Sequence, residues 1–243
     1  MANLKRPGGE LASRPLHFIW VVDCSGSMYG EKIGTVNHAI QSTIPEMADA
    51  AKDNPNAQLL VRTLKFSTGA SWVTTAPVRI EDFAWDDLDA GGVTDLGKAF
   101  EMLAAQLTIP PMSERALPPV LVLLSDGQPT DDYKKSLDKL LHLPWGKKAV
   151  RIAISIGQDA DDDVLEQFTG NRELVLQANN PQALVKMIKW ASTAASVVSA
   201  PASRPKDAEE FAVPKDPGAS NAPLVLDMNN IPDPASIGAG DVW

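Results

Sequence analysis

Only one cysteine, Cys24, occurs among the 243 residues. No internal disulfide is possible, so a reducing compartment fits the chain. No apolar run approaches the ~20 residues that a membrane-spanning helix needs. Lys5 and Arg6 near the N-terminus are not followed by an apolar stretch, so no secretory signal is expected and cytoplasmic residence is the default. Basic residues are outnumbered, 22 against 31, and the formal net charge is -9. That balance argues against nucleic acid or an anionic membrane as the main partner, because both attract basic faces. His17, His38 and His142 are scattered without metal-ligand spacing, and there is neither a phosphate-binding GxxxxGK nor a Ser-His-Asp arrangement. A cysteine phosphatase would need an arginine six positions after Cys24, where Gly30 stands, so Cys24 reads as a packed core thiol. Asp159, Asp161, Asp162 and Asp163 lack the EF-hand spacing and read as a solvated loop with a helix cap.

What is present is an ordinary globular balance of 44% hydrophobic and 22% charged residues, enough for one sizeable core. Short, nearly continuous apolar runs at 17–22, 58–66, 120–124 and 150–156 have the character of strands buried on both faces. Residues 71–78 predict an edge strand, with Pro77 near its end, and 173–176 a short last strand. Between them lie helical patterns at 31–51, 96–107, 132–143, 161–168 and 182–198. Pro45 should kink the first, and Thr94 or Asp95 is placed to cap the second. Alternating strands and helices imply an open, doubly wound, mostly parallel α/β sheet of Rossmann-like type, with helices on both faces. In such sheets ligands bind at the carboxyl ends of the strands, where the strand order reverses.

Three loops at strand or helix ends carry oxygen-bearing side chains. They are Asp23-Cys24-Ser25-Gly26-Ser27 after the first strand, Gly91-Gly92-Val93-Thr94-Asp95 before a helix, and Ser125-Asp126-Gly127 after VLVLL. Two carboxylates and several hydroxyls form an all-oxygen set that suits a hard cation. Taken singly, Asp23, Ser25 and Ser27 could be helix caps and Asp126-Gly127 an ordinary turn. Their joint occurrence at the expected sheet edge favours an ion.

Asp-x-Ser-x-Ser, Gly-Gly-x-Thr-Asp-Leu and Ser-Asp-Gly, in that order, resemble the metal-ion-dependent adhesion site (MIDAS) of von Willebrand factor A (VWA) domains. The resemblance covers roughly residues 15–198. It implies a site for Mg²⁺ or Mn²⁺ made by Asp23, Ser25, Ser27, Thr94 and Asp126, with one position open to an acidic side chain of a protein partner, and no catalysis. The stretches 23–33, 125–131 and 188–194 are most similar to tellurite-resistance-type bacterial VWA proteins. That similarity implies a scaffold role in a stress-response or phospho-signalling system containing a protein kinase and a PP2C-type phosphatase. Cys24 departs from the threonine common in its slot, which is not a ligand position.

Residues 1–14 read as a loose arm, 15–199 as the domain and 200–243 as a proline-rich, acidic tail with little core of its own. Leu224, Val225, Leu226 and Met228, and the terminal Val242 and Trp243, are candidate docking residues for a partner groove or sheet edge. An adaptor or kinase substrate acting mainly through this tail is the alternative function. A Mg²⁺-dependent phosphohydrolase is a third; it needs a second aspartate two residues after Asp23, where Ser25 stands.

Overall fold

The computed structural model describes residues 13–52, 57–158, 160–199 and 231–232. The strands are β1 (Arg14–Asp23), β2 (Ala57–Ser67), β3 (Gly69–Trp72), β4 (Val78–Arg79), β5 (Val120–Ser125), β6 (Val150–Ile156) and β7 (Val175–Ala178). The helices are α1 (Glu31–Lys52), α2 (Leu96–Gln106), α3 (Tyr133–His142), α4 (Pro144–Lys148), α5 (Asp162–Thr169) and α6 (Pro181–Ser199). The strand order is β3-β2-β1-β5-β6-β7, with β4 also on β2. Strands β2, β1, β5, β6 and β7 run parallel, while β3 and β4 pair antiparallel with β2. The chain leaves β1 toward β2 on one side and later returns to β5 on the other. The carboxyl ends of β1 and β5 are therefore the switch point of the sheet.

Strand periodicity divides the core into two layers, because successive side chains point to opposite faces. Phe18, Trp20 and Val22 of β1, with Val122 and Leu124 of β5, join the layer that contains Val36 and Ile40 of α1 and Leu184 and Ile188 of α6. Ile19 and Val21, with Leu121 and Leu123, join the layer containing Phe100 and Leu103 of α2, Leu137 of α3 and Phe168 of α5. Such two-sided burial explains why these strands lack the polar alternation of a half-exposed sheet.

Four details depart from the sequence expectation. The strand expected at 71–78 is two pieces, β3 and β4, separated by a turn in which Arg62 donates to the carbonyls of Thr74 and Thr75 at 3.3 and 2.9 Å. The last strand starts at Val175, because Arg172–Leu174 forms a 3-10 turn capped by Asn171. A short helix, α4, follows Pro144, which suits the first turn of a helix. Pro45 costs α1 a backbone hydrogen bond without ending the helix. No helix among the described residues is long and apolar enough to cross a membrane. Most of the expected arm and tail, with Leu224, Val225, Leu226, Met228, Val242 and Trp243, lies outside the described residues. Within the tail, Ile231 is half-buried and packs against the layer between the sheet and α1 and α6.

Candidate metal centre

Asp23 ends β1 and is fully buried. Its Oδ1 accepts the Ser25 N–H at 2.8 Å, and its Oδ2 accepts the Ser125 hydroxyl at 2.6 Å. Ser125 ends the neighbouring β5, so this bond ties the first loop to the third. Ser125 Oγ also accepts the Gly127 N–H at 2.9 Å, which fixes the turn around Asp126. Ser25 is buried, Ser27 is exposed, and their hydroxyl oxygens lie 3.0 Å apart.

The second loop is stapled to the first through the backbone. Gly91 donates to the Cys24 carbonyl at 2.8 Å, and Gly26 donates to the Gly92 carbonyl at 3.0 Å. Gly92 has φ +86°, and a Cβ there would stand 2.5 Å from Thr68 Oγ1, so a side chain is excluded twice over. Thr94 is buried and is held by reciprocal contacts with Thr130: its N–H donates to Thr130 Oγ1 at 3.1 Å and its carbonyl accepts from Thr130 N at 2.8 Å. The third loop turns at Gly127, φ +68°, where a Cβ would meet the Asp161 carbonyl at 2.5 Å. Asp161 in turn donates its N–H to the Asp126 carbonyl at 2.7 Å.

Asp126 is buried, and its Oδ1 has no hydrogen-bond partner. A buried, unpaired carboxylate oxygen is costly unless a cation faces it. Burial pushes the Asp23 carboxyl up to about 6; bonds from Ser125 and Ser25 oppose the rise, and the charge of Asp126 adds to it. Two buried carboxylates therefore repel each other at one sheet edge beside the Ser25–Ser27 hydroxyl pair. No group of three His, Cys, Asp or Glu side chains gathers among the described residues, so an ion here must take hydroxyl oxygens as well. That donor set fits a hard divalent cation, for which neutral oxygens and few carboxylates suffice. Cys24 beside it is buried, and burial pushes its thiol up to about 12, which removes it as a nucleophile.

The expected side-chain cap of α2 does not form. Neither Thr94 nor Asp95 caps α2 by a side-chain bond. Asp95 Oδ2 instead accepts the Gly69 N–H at 2.7 Å. The first-turn N–H groups of α2 are taken by Asp131, whose oxygens accept from Gly97 at 2.9 Å and Lys98 at 3.2 Å. Asp161 likewise makes no side-chain cap to α5, while Asp162 accepts from Ser155 Oγ at 2.7 Å and Gln177 Nε2 at 2.6 Å. The supporting roles of Ser125, Thr130 and Asp131 were missed from the sequence. Their only signal was position within the Ser-Asp-Gly-Gln-Pro-Thr-Asp run.

A doubly wound sheet with two buried carboxylates and neighbouring hydroxyls at its switch point defines the class: an α/β domain with an oxygen-rich cluster at one sheet edge. The family model for the von Willebrand factor type A domain matches residues 18–190, and the chain belongs to that family. VWA domains are typically non-catalytic modules for protein–protein interaction. The fold is shared with the pilus adhesin SpaC from Lactobacillus rhamnosus GG in its open conformation, at TM-score 0.60 and 15% identity over 74% of this chain and 30% of that one. It is shared with the ArnB paralog VWA2 from Sulfolobus acidocaldarius, at TM-score 0.55 and 21% identity over 72% and 44%. Proximal thread matrix protein 1 from the mussel byssus, with a zinc-occupied MIDAS motif, aligns at TM-score 0.57 and 18% identity over 77% and 49%. The chain thus spans less than half the length of each of these proteins. No curated protein matches the sequence.

Proposed function

We propose that Asp23, Ser25, Ser27, Thr94 and Asp126 hold one divalent cation, Mg²⁺ or Mn²⁺, and that its open position takes an acidic side chain from a protein partner. The observation that carries this reading is Asp126 Oδ1, buried without a partner and close enough to a second buried carboxylate, Asp23, for its charge to raise that group. The zinc-occupied MIDAS of the mussel protein supports the metal on a related fold. When bound, the ion supplies positive charge and a free coordination position.

The chain's own residues set its character. Asp23 has both oxygens engaged by Ser25 and Ser125, so its part is to orient the loop and balance charge. Ser25, Ser27 and Thr94 offer neutral oxygens, which leave the ion electrophilic enough to accept an outside carboxylate. The finer assignment is a scaffold in a bacterial stress-response system, of the tellurite-resistance type, beside a protein kinase and a PP2C-type phosphatase. It rests on the sequence resemblance at 23–33, 125–131 and 188–194.

Titration calorimetry of the full chain tests the metal reading. One Mg²⁺ or Mn²⁺ per chain is expected to bind, and Asp126→Ala should remove that binding. A chain that takes up neither ion, or an Asp126→Ala variant that binds as the parent does, overturns it.

A further inference from the structure

A fourth turn of the chain meets the three loops of the candidate site, and it belongs to none of their motifs. Strand β2 ends at Ser67 and β3 begins at Gly69, with Thr68 between them at the tip of the hairpin. Strand β2 runs parallel to β1 with Phe66 opposite Asp23, and Cys24 donates its N–H to the Phe66 carbonyl at 2.8 Å. The hairpin tip therefore lies at the same sheet edge as the first loop. It holds the second loop on both sides of Thr94. Thr68 Oγ1 accepts the Val93 N–H at 3.3 Å, Asp95 donates its N–H to the Ser67 carbonyl at 2.9 Å, and Asp95 Oδ2 accepts the Gly69 N–H at 2.7 Å. Thr68 Oγ1 also fills the space in which a side chain on Gly92 would begin.

The second loop needs such support. Residues 83–95 form neither helix nor strand, so no ladder of their own fixes Thr94. Ordering a backbone residue has an entropic cost. Where the fold has already met that cost, ligand binding does not meet it again. Thr130 holds the Thr94 peptide from the side of the third loop, and the hairpin tip braces its two neighbours. The outcome is a division between adjacent residues: Thr94 is 5% exposed and Val93 is 46% exposed. The bond from Val93 to Thr68 lies at the surface, so its loss leaves the N–H to water and bears little on folding. Its effect is on the freedom of the loop.

We propose that the β2–β3 hairpin tip is a fourth support of the metal centre, with Thr68 as a positioning residue that sets Thr94 before an ion arrives. The Thr68 hydroxyl fixes Val93, and with it the peptide that leads into Thr94. Asp95, bonded to Ser67 and Gly69, fixes the peptide that leaves it. Thr68 acts through Val93 and not on the ion. Since Val93 is exposed beside the site, the same hydroxyl also sets part of the surface that a partner meets. This inference rests on the metal reading above.

The test compares the full chain with its Thr68→Val and Thr68→Ser variants. Valine keeps the shape of the side chain and loses the acceptor; serine keeps the hydroxyl. In chelator, the Val93 amide should exchange with solvent about fivefold faster in Thr68→Val than in the parent, the worth of one ordinary hydrogen bond, while the urea midpoint stays close to the parent's. In calorimetry, Mn²⁺ affinity should fall by a similar factor, about fivefold. Thr68→Ser should restore both readings. Parent-like Mn²⁺ affinity in Thr68→Val overturns the inference and leaves the metal site standing. A loss in Thr68→Ser as large as in Thr68→Val also overturns it, because shape and not the hydroxyl would then be the cause. A fall in affinity matched by a fall in the urea midpoint overturns it too, since Thr68 would then support the fold at large. A parent chain that takes up no Mn²⁺ overturns the metal reading and this inference with it.

Discussion

Asp23 and Asp126 are both buried and feel each other's charge, but they bear on the metal-free fold in opposite ways. Asp23 accepts from Ser25 N and Ser125 Oγ, so removing it leaves two buried donors unpaired. An unpaired buried donor costs about 1–3 kcal/mol. Asp126 Oδ1 accepts nothing, so its truncation removes an uncompensated buried oxygen, while the Asp126 carbonyl keeps its bond from Asp161. In chelator at pH 4.5, where the folded chain holds the Asp23 carboxyl protonated and no charge cost offsets the lost bonds, Asp23→Ala should therefore lower unfolding stability by about 2 kcal/mol. Asp126→Ala should fall within about 0.5 kcal/mol of the parent, or above it. Urea unfolding of both variants without metal checks the contrast; equal losses would show that Asp126 supports the fold itself.

At the scale of elements, the three loops form one unit because each is tied to a helix or strand belonging to another. Asp131 of the third loop caps α2, which follows the second loop, and Thr130 grips Thr94. Asp131→Ala should cost about 1 kcal/mol, the usual value of a lost cap. It should also weaken Mn²⁺ binding several-fold, since Thr94 immediately precedes the freed helix end; thermal unfolding and calorimetry on the same protein read both effects. Unchanged Mn²⁺ affinity at the expected stability loss would separate α2 from the metal loop. This cap shows what the sequence can reveal. The buried strands at 17–22, 120–124 and 150–156 were legible because apolar runs bounded by turn residues are local signals, and the three loops of the candidate site because each is a contiguous motif at a strand or helix end. The α2 cap was misread because Thr94 and Asp95 adjoin the helix, whereas the group that bonds it comes from 34 residues away. The break between β3 and β4 was missed for a similar reason. It is organised by Arg62, a buried cation on β2 that stacks 3.8 Å over the Trp72 ring and bonds the carbonyls of the turn.

For the whole molecule, two buried titrating groups at different places along β1 oppose each other in acid. Burial, with the charge of Arg62 adding to it, lowers His17 to about 4 from its ordinary 6.5. The unfolded chain then binds the extra proton first as pH falls, so this residue withdraws stability between pH 6.5 and 4. Asp23 is raised to about 6 from 3.8, so the folded, metal-free chain is protonated first, and this residue returns stability over nearly the same interval. Each shift is a little over two pH units, or about 3 kcal/mol if fully expressed, so the pair nearly cancels. Replacing one member should expose the other. In chelator, His17→Gln should gain about 2–3 kcal/mol relative to the parent between pH 6.5 and 4, because only the Asp23 contribution remains. Guanidinium unfolding at pH 6.5, 5.5 and 4.5 for both proteins measures the difference. Parallel stability curves would mean that His17 is not held neutral in the fold, and the balance between the two ends of β1 would have to be given up.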